Sequence, residues 1–150
     1  MVTIRPARTE DVTELRELAA AAYAHYIPRL GGLVPAPVTA DYAAAVASGN
    51  IWVAEHEDAV VGLLVAYPRP DHTLLENVAV QPQRHGMGIG RQLMQLAEEK
   101  ARDWGTSEIR LYTNVVMTEN LTLYGRLGYR ETHRAVENGF ERVFMTKRLS

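Results

Sequence analysis

The chain has 150 residues, 47% of them apolar and 23% charged, with a formal net charge of −2 and no cysteine. That length fits one ordinary domain, 1–150, able to bury a real core. The slight negative charge argues against nucleic acid as the main partner, and the missing cysteine excludes disulfides, thiolate metal sites and a cysteine nucleophile. The first residues, MVTIRPARTEDVTEL, carry charges where a signal peptide needs an apolar stretch, and the longest apolar run, Ala59 to Tyr67, is too short to span a bilayer. A soluble, cytoplasmic protein with no membrane partner is expected.

Val2 to Arg5 reads as a short strand. Thr9 is placed to cap a helix carrying Val12, Leu15, Leu18, Ala22 and Tyr26 on one face. His25 to Pro37 holds three prolines and two glycines and reads as a loop. Asp41 to Ala47 reads as a second short helix. Ile51 to Glu55 and Val60 to Tyr67 form a hairpin turning at Glu57 and Asp58. Thr73 to Val80 is apolar on both faces apart from Glu76 and Asn77, which suits a central strand. Ile89 to Trp104 is an amphipathic helix with Ile89, Leu93, Leu96, Ala97 and Ala101 on one side, stopped by Gly105. Glu108 to Thr113 is a strand and Thr118 to Leu127 a helix ending at Gly128. Tyr129 to His133 and Phe140 to Lys147 are strands joined through the turn pair Asn138-Gly139. The order β-α-α-β-β-β-α-β-α-β-β describes an α/β domain with a mixed sheet.

The most informative stretch is LENVAVQPQRHGMGIGRQL, Leu75 to Leu93. An apolar strand runs into a proline, then Gly86, Gly88 and Gly90, then an amphipathic helix. The first N–H groups of a helix have no intrahelical acceptor, and the helix dipole favours negative charge there. Glycines leave that backbone bare, so the segment suits a phosphate or pyrophosphate. His85 and Arg91 could add charge-assisted contacts. The spacing is not that of a dinucleotide fingerprint, and no G-K-[ST] follows, which argues against a nucleotide-hydrolysing loop. A helix start that needs glycine only for packing is the plain alternative.

The run V-A-V-x-P-x-x-H-G-M-G-I-G-R resembles the pyrophosphate-binding motif of the GNAT superfamily of N-acetyltransferases. In one register Gly88 and Gly90 are the motif glycines, with His85 where Arg or Gln is usual. A second register, Gln83-x-x-Gly86-x-Gly88, also matches. The resemblance covers the whole chain. I-R-P-A resembles the family's first strand, Glu119-Asn120 through L-Y-G-R-L-G-Y its later cofactor-binding helix, and V-F-M-T-K-R-L its last strand. It implies a central, mostly antiparallel sheet with one splayed strand pair, flanked by helices.

What the resemblance implies chemically is acetyl transfer from acetyl-CoA, as cosubstrate, to an amine, by direct attack and without a metal. The backbone of His85, Gly86, Met87, Gly88, Ile89, Gly90 and Arg91 would hold the pyrophosphate. Free backbone groups of Val78, Ala79 and Val80 would pair with the pantetheine arm, and one N–H would stabilise the oxyanion. Asn120 would contact the cofactor. Tyr124, four residues on along the same helix face, would protonate the departing thiolate; from spacing alone, Tyr124 is a core aromatic between Leu121 and Leu127. Glu76 is the favoured base, on the argument that burial in an apolar strand raises a carboxylate's pKa, beside the option of a structural or solvent-facing Glu76. His72 or a water chain are the alternatives. The acceptor, a small-molecule or peptide amine, would meet 25–37 and 134–140, where Arg29 and Glu137 are the charged candidates. A homodimer is an open option. The rival readings are an acyl-CoA-binding module without catalysis and a nucleotide-binding domain of another kind.

Overall fold

A computed structural model describes residues 1–150. Seven strands hydrogen-bond in the order β1-β2-β3-β4-β5-β7-β6. They are β1 (Thr3–Pro6), β2 (Ile51–His56), β3 (Ala59–Pro68), β4 (Thr73–Val80), β5 (Glu108–Asn114), β6 (Arg130–Glu137) and β7 (Phe140–Arg148). The helices are α1 (Val12–Tyr23), α2 (Ala36–Thr39), α3 (Tyr42–Ser48), α4 (Ile89–Asp103) and α5 (Thr118–Arg126). The β4–β5 pair is parallel, Thr73 with Ile109 and Leu74 with Arg110, while β1–β2, β2–β3, β5–β7 and β6–β7 are antiparallel. This is the mixed, mostly antiparallel sheet expected from the sequence. No helix is long and apolar enough to cross a membrane.

The chain forms two compact units, Met1–Ala66 with Asn77–Ala97, and Tyr67–Glu76 with Glu98–Ser150. In the first, the β2–β3 hairpin turns at Glu57 and Asp58, whose φ angles are 50° and 66°. Such a turn matches the twist of its strands but sets two side chains in the left-handed region. β2 and β3 bury Ile51 to Ala54 and Val60 to Ala66 almost without interruption, as a strand covered on both faces must. α1 buries Leu15, Leu18, Ala19 and Ala22, the three-and-four spacing of one helix face. Full burial of a leucine contributes about 1.5–3 kcal/mol, so this stripe fixes α1's orientation.

Thr9 does not cap α1. It opens a short 3-10 turn, and α1 starts after Asp11. Asp11 is buried and accepts from the Arg8 N–H at 2.7 Å and from Arg5 Nη1 and Nη2 at 2.8 and 2.9 Å. Arg5 also meets Glu55 at 2.9 Å. The Arg5 guanidinium therefore holds the Asp11 carboxyl below its ordinary range against the opposing effect of burial. The segment read as a loop contains 3-10 turns at Ala24–Tyr26 and Pro28–Leu30, then α2. Asp41 Oδ1 accepts from the Ala44 N–H at 3.0 Å and caps α3. On β3, Gly62 lets α4 approach. A Cβ there would stand 3.1 Å from both Ile89 Cγ2 and Leu93 Cδ1, inside normal contact.

In the second unit, Ile109, Leu111 and Thr113 of β5 are buried with Val143 and Met145 of β7, the period-two face of a half-covered sheet. β6 begins at Arg130 rather than Tyr129 and extends to Glu137. Tyr129 is buried, its N–H bonded to the Tyr124 carbonyl at 3.0 Å. β6 is exposed along nearly its whole length and rich in charge, a composition that blunts a sheet edge.

Candidate functional site

β4 ends at Val80, and the Gln81 N–H donates to the Val61 carbonyl at 2.9 Å. A 3-10 turn at Pro82–Arg84 follows, then the glycine loop, then α4. Gly86 and Gly88 have φ of 85° and 79°, with nothing within 4 Å of the position a Cβ would take. A left-handed backbone facing open space is a place where only glycine sits without strain. Gly90 is different. It is helical, without a positive φ, and its nearest neighbour is Val80 Cγ2 at 3.7 Å.

The first i→i−4 bond of α4 runs from the Gln92 N–H to the Gly88 carbonyl at 3.1 Å. The N–H groups of Ile89, Gly90 and Arg91 therefore precede the helical ladder and carry the positive end of the helix dipole. Ile89 is buried and anchors the helix start, while His85, Met87 and Arg91 are exposed around the loop. Two bare left-handed glycines beside open first-turn donors fit an anion of pyrophosphate size. Backbone N–H groups and flanking cations are the donors such a group needs.

On β4 the side chains alternate. Leu75, Asn77 and Ala79 are buried, Val78 and Val80 half-buried, and Glu76 exposed. The desolvation expected for Glu76 from its apolar neighbours is thus absent. Its partner is Tyr67, a residue the sequence did not single out. Burial, with the charge of Glu76 and a hydrogen bond to it, pushes the Tyr67 hydroxyl up to about 12. That phenol stays protonated at neutral pH, so it acts on Glu76 as a hydrogen-bond donor. His72 Nδ1 lies 2.7 Å from Asp71 Oδ1, which holds the Asp71 carboxyl below its ordinary range.

Tyr124 of α5 is buried, its ring centroid 5.8 Å from that of Tyr129. Asn120, one turn earlier, is half-buried and its Nδ2 donates to Met117 Sδ at 3.8 Å. Val78 to Arg91 lie in the first compact unit, and His72, Glu76, Asn120 and Tyr124 in the second.

Asn77 is a residue that the sequence marked only as an interruption. It is buried, and the Tyr23 hydroxyl donates to its Oδ1 at 2.7 Å. Its Nδ2 donates to the Tyr42 hydroxyl at 3.2 Å, and Tyr42 donates to the Pro37 carbonyl at 2.5 Å.

In the final hairpin Glu137 is exposed and has a neighbour of its own, Arg142 Nη1 at 2.8 Å. The same guanidinium lies over Tyr112 at 4.4 Å. A cavity of about 270 Å³ near this hairpin is lined by Val115, Arg134, Ala135, Val136, Glu141 and Arg142, none of them a predicted catalytic or cofactor residue. Arg29 lies 5.3 Å from the Tyr26 ring centroid. No group of three His, Asp or Glu side chains is arranged to hold a metal.

Comparison with known proteins meets these observations. The family model described as acetyltransferase (GNAT) family matches residues 12–129. Probable N-acetyltransferase family 8 member 5 of Mus musculus is 32% identical over 129 residues, 82% of this chain and 56% of that protein. N-acetyltransferase 8B of Homo sapiens is 37% identical over 87 residues, 54% of this chain and 38% of that protein. The chain spans about half the length, or less, of these curated relatives. Among solved structures, PaiA N-acetyltransferase from Thermoplasma acidophilum in complex with coenzyme A superposes with a TM-score of 0.82 at 17% identity, over 99% of each chain. A GNAT family acetyltransferase from Elizabethkingia anophelis with acetyl-CoA bound gives 0.69 at 22% identity, over 99% of this chain and 98% of that one. At such identities the structural likeness speaks for the fold, and the sequence match carries the relationship: the chain belongs to the acetyltransferase (GNAT) family.

Proposed function

We propose that this protein is an N-acetyltransferase that transfers the acetyl group of acetyl-CoA to a primary amine. The observation that carries the reading is the loop at Gly86 and Gly88, left-handed and open where a Cβ would stand, running into the unladdered N–H groups of α4. Of the two motif registers, this backbone favours Gln83-x-x-Gly86-x-Gly88, since Gly90 is helical and His85 then falls inside the motif. The pyrophosphate would be held by Gly86 to Arg91, and the pantetheine arm by backbone groups of Val78, Ala79 and Val80 on a β4 splayed from β5. Asn120 would complete the cofactor contacts.

Chemistry proceeds by direct attack. The amine nitrogen forms its bond to the thioester carbon, a backbone N–H of Val78 to Val80 steadies the oxyanion, and the carbon–sulfur bond breaks. Removing a donor of that kind costs about 3 kcal/mol in known cases. Tyr124 gives its proton to the departing thiolate. A phenol near ~10 protonates a thiolate whose thiol lies near ~8.5 with only a modest uphill step. Glu76 accepts the proton that the ammonium form of the acceptor must lose, and the second proton, shed by the nitrogen once the carbon–nitrogen bond has formed, returns to the Tyr124 phenolate directly or through water. An exposed carboxylate held by the Tyr67 hydroxyl can take that proton directly or through water, and His72 is the weaker candidate.

The test is release of the CoA thiol from acetyl-CoA across a broad amine panel, with Tyr124→Phe as control. Release with one amine class, lost in the variant while acetyl-CoA affinity persists, supports the enzyme and identifies its acceptor class. No release, with acetyl-CoA still raising the melting temperature, favours an acyl-CoA-binding module. Neither release nor thermal shift overturns the cofactor assignment.

A further inference from the structure

We infer that Asn77 is a positioning residue for acceptor recognition, and that the Tyr23–Asn77–Tyr42 relay fixes the segment between α1 and α3 onto the strand carrying Val78 to Val80. The inference rests on the N-acetyltransferase reading for the word acceptor, but its geometry stands apart from it.

Asn77 sits on the buried face of β4 between Leu75 and Ala79. A β-branched or leucine side chain would suit that place better as strand and as core. An amide there is costly unless both its ends are bonded. Both are. Tyr23 has one hydroxyl proton and gives it to Asn77 Oδ1 at 2.7 Å. Tyr42 gives its proton to the Pro37 carbonyl at 2.5 Å, so its oxygen is left to accept from Asn77 Nδ2 at 3.2 Å. One orientation of the amide satisfies the chain from Tyr23 to Pro37, and reversal sets Oδ1 against the Tyr42 oxygen, whose proton is already given to Pro37.

The fastened segment cannot hold itself. Between α1 and α3 it contains 3-10 turns at Ala24–Tyr26 and Pro28–Leu30, left-handed Gly31 and Gly32, and a four-residue α2. Elements of that length are not stable alone. The relay grips this segment before its start at Tyr23, within it at Pro37 and after its end at Tyr42. Tyr23 and Tyr42 bond to one β4 side chain, adjacent in sequence to Val78, and Pro37 is joined to it through the Tyr42 hydroxyl. The segment's position is thereby tied to the strand on which the thioester is proposed to lie.

Tyr23→Phe and Tyr42→Phe each delete a single hydroxyl. In hydrogen exchange of the intact, ligand-free chain, Tyr42→Phe is expected to speed the amides of 28–39 about tenfold, with those of 130–148 unchanged. With the best amine from the panel, both variants are expected to raise the amine KM about tenfold at unchanged kcat and unchanged acetyl-CoA KM. Ile109→Val, a core truncation in the second unit, serves as a variant of comparable lost stability and should leave the amine KM alone. Unchanged exchange at 28–39 overturns the relay. So does a KM effect that Ile109→Val reproduces, or a change that falls on kcat or on acetyl-CoA instead. If acetyl-CoA neither binds nor reacts, the enzymatic reading has failed and the acceptor role with it, and the ligand-free exchange result then decides the relay by itself.

Discussion

Alanine at Gly88 and at Gly90 should act in opposite directions on stability and in the same direction on ligand binding. Gly88 has a φ of 79° and open space around it, so the cost of a Cβ there is backbone strain alone, about 1–2 kcal/mol. Gly90 is helical, and its added Cβ would meet Val80 Cγ2 at an ordinary 3.7 Å. Alanine there removes glycine's helix penalty and is expected to stabilise by about 0.5–1 kcal/mol. For a chain of this size 1 kcal/mol moves the midpoint by about 2–4 °C. Thermal unfolding should therefore show Gly88→Ala lower by about 2–8 °C and Gly90→Ala higher by about 1–4 °C.

Acetyl-CoA titration supplies the second axis. If Gly86 and Gly88 are the motif pair, a methyl at Gly88 blocks the approach of the pyrophosphate to the backbone, and affinity falls at least about tenfold beyond any folding effect. Gly90→Ala should cost much less, because its N–H remains in place in the first turn. Equal stability loss in both variants would refute the backbone argument. A larger affinity loss at Gly90 than at Gly88 would restore the register in which His85 begins the motif.

Asp11→Asn should cost about 2 kcal/mol at pH 7, because Arg5 keeps Glu55 when the Asp11 charge is gone. Since Asp11 is held below its ordinary range, its stabilisation is present above the unfolded carboxyl value near ~4 and is lost as pH falls through the lower folded value. Urea unfolding across that acid window should be steeper for the wild type than for the variant, and parallel curves would dismiss the pair. Tyr129 Oη is buried without a protein hydrogen-bond partner, so Tyr129→Phe should stabilise by about 1 kcal/mol, read as a higher midpoint. Burial also raises the Tyr129 hydroxyl, so its contribution is complete below ~10 and lost as pH rises beyond that, and the variant should resist alkaline unfolding better. Asp58→Gly, at φ 66° in the β2–β3 turn, should raise the midpoint by about 2 °C. Gly62→Ala should lower it by about 2–8 °C through the contacts with Ile89 and Leu93.

The parts of this fold that were legible in the chain are those decided by neighbours in sequence. Glu57-Asp58 and Asn138-Gly139 mark hairpins because a two-residue turn needs left-handed residues whatever surrounds it. Gly86 and Gly88 mark a helix start with a bare, left-handed backbone for the same local reason. What escaped was decided by partners far along the chain. Thr9 looks like a cap, but Asp11 takes the helix entry, bonded by Arg5, which in turn meets Glu55 50 residues away. Glu137 reads as a lone carboxylate, and only the final hairpin shows Arg142 as its ion-pair partner.

β4 shows the division most clearly. Its hydropathy says that both faces are apolar, and a carboxylate within it therefore reads as buried. Period two allots Glu76 to the exposed face and Asn77 to the buried one, but no count of apolar residues says which face is covered. Glu76 was singled out for a burial it lacks, while Asn77, one residue on, is the buried polar group with partners 54 and 35 residues away. A polar residue in an apolar strand is thus a sound signal of a constrained place, and the fold decides which of two adjacent ones bears the constraint. Here the exposed member keeps a carboxylate within reach of solvent. The buried member spends its hydrogen bonds on the segment between α1 and α3, a division of labour that mutating either residue alone would expose.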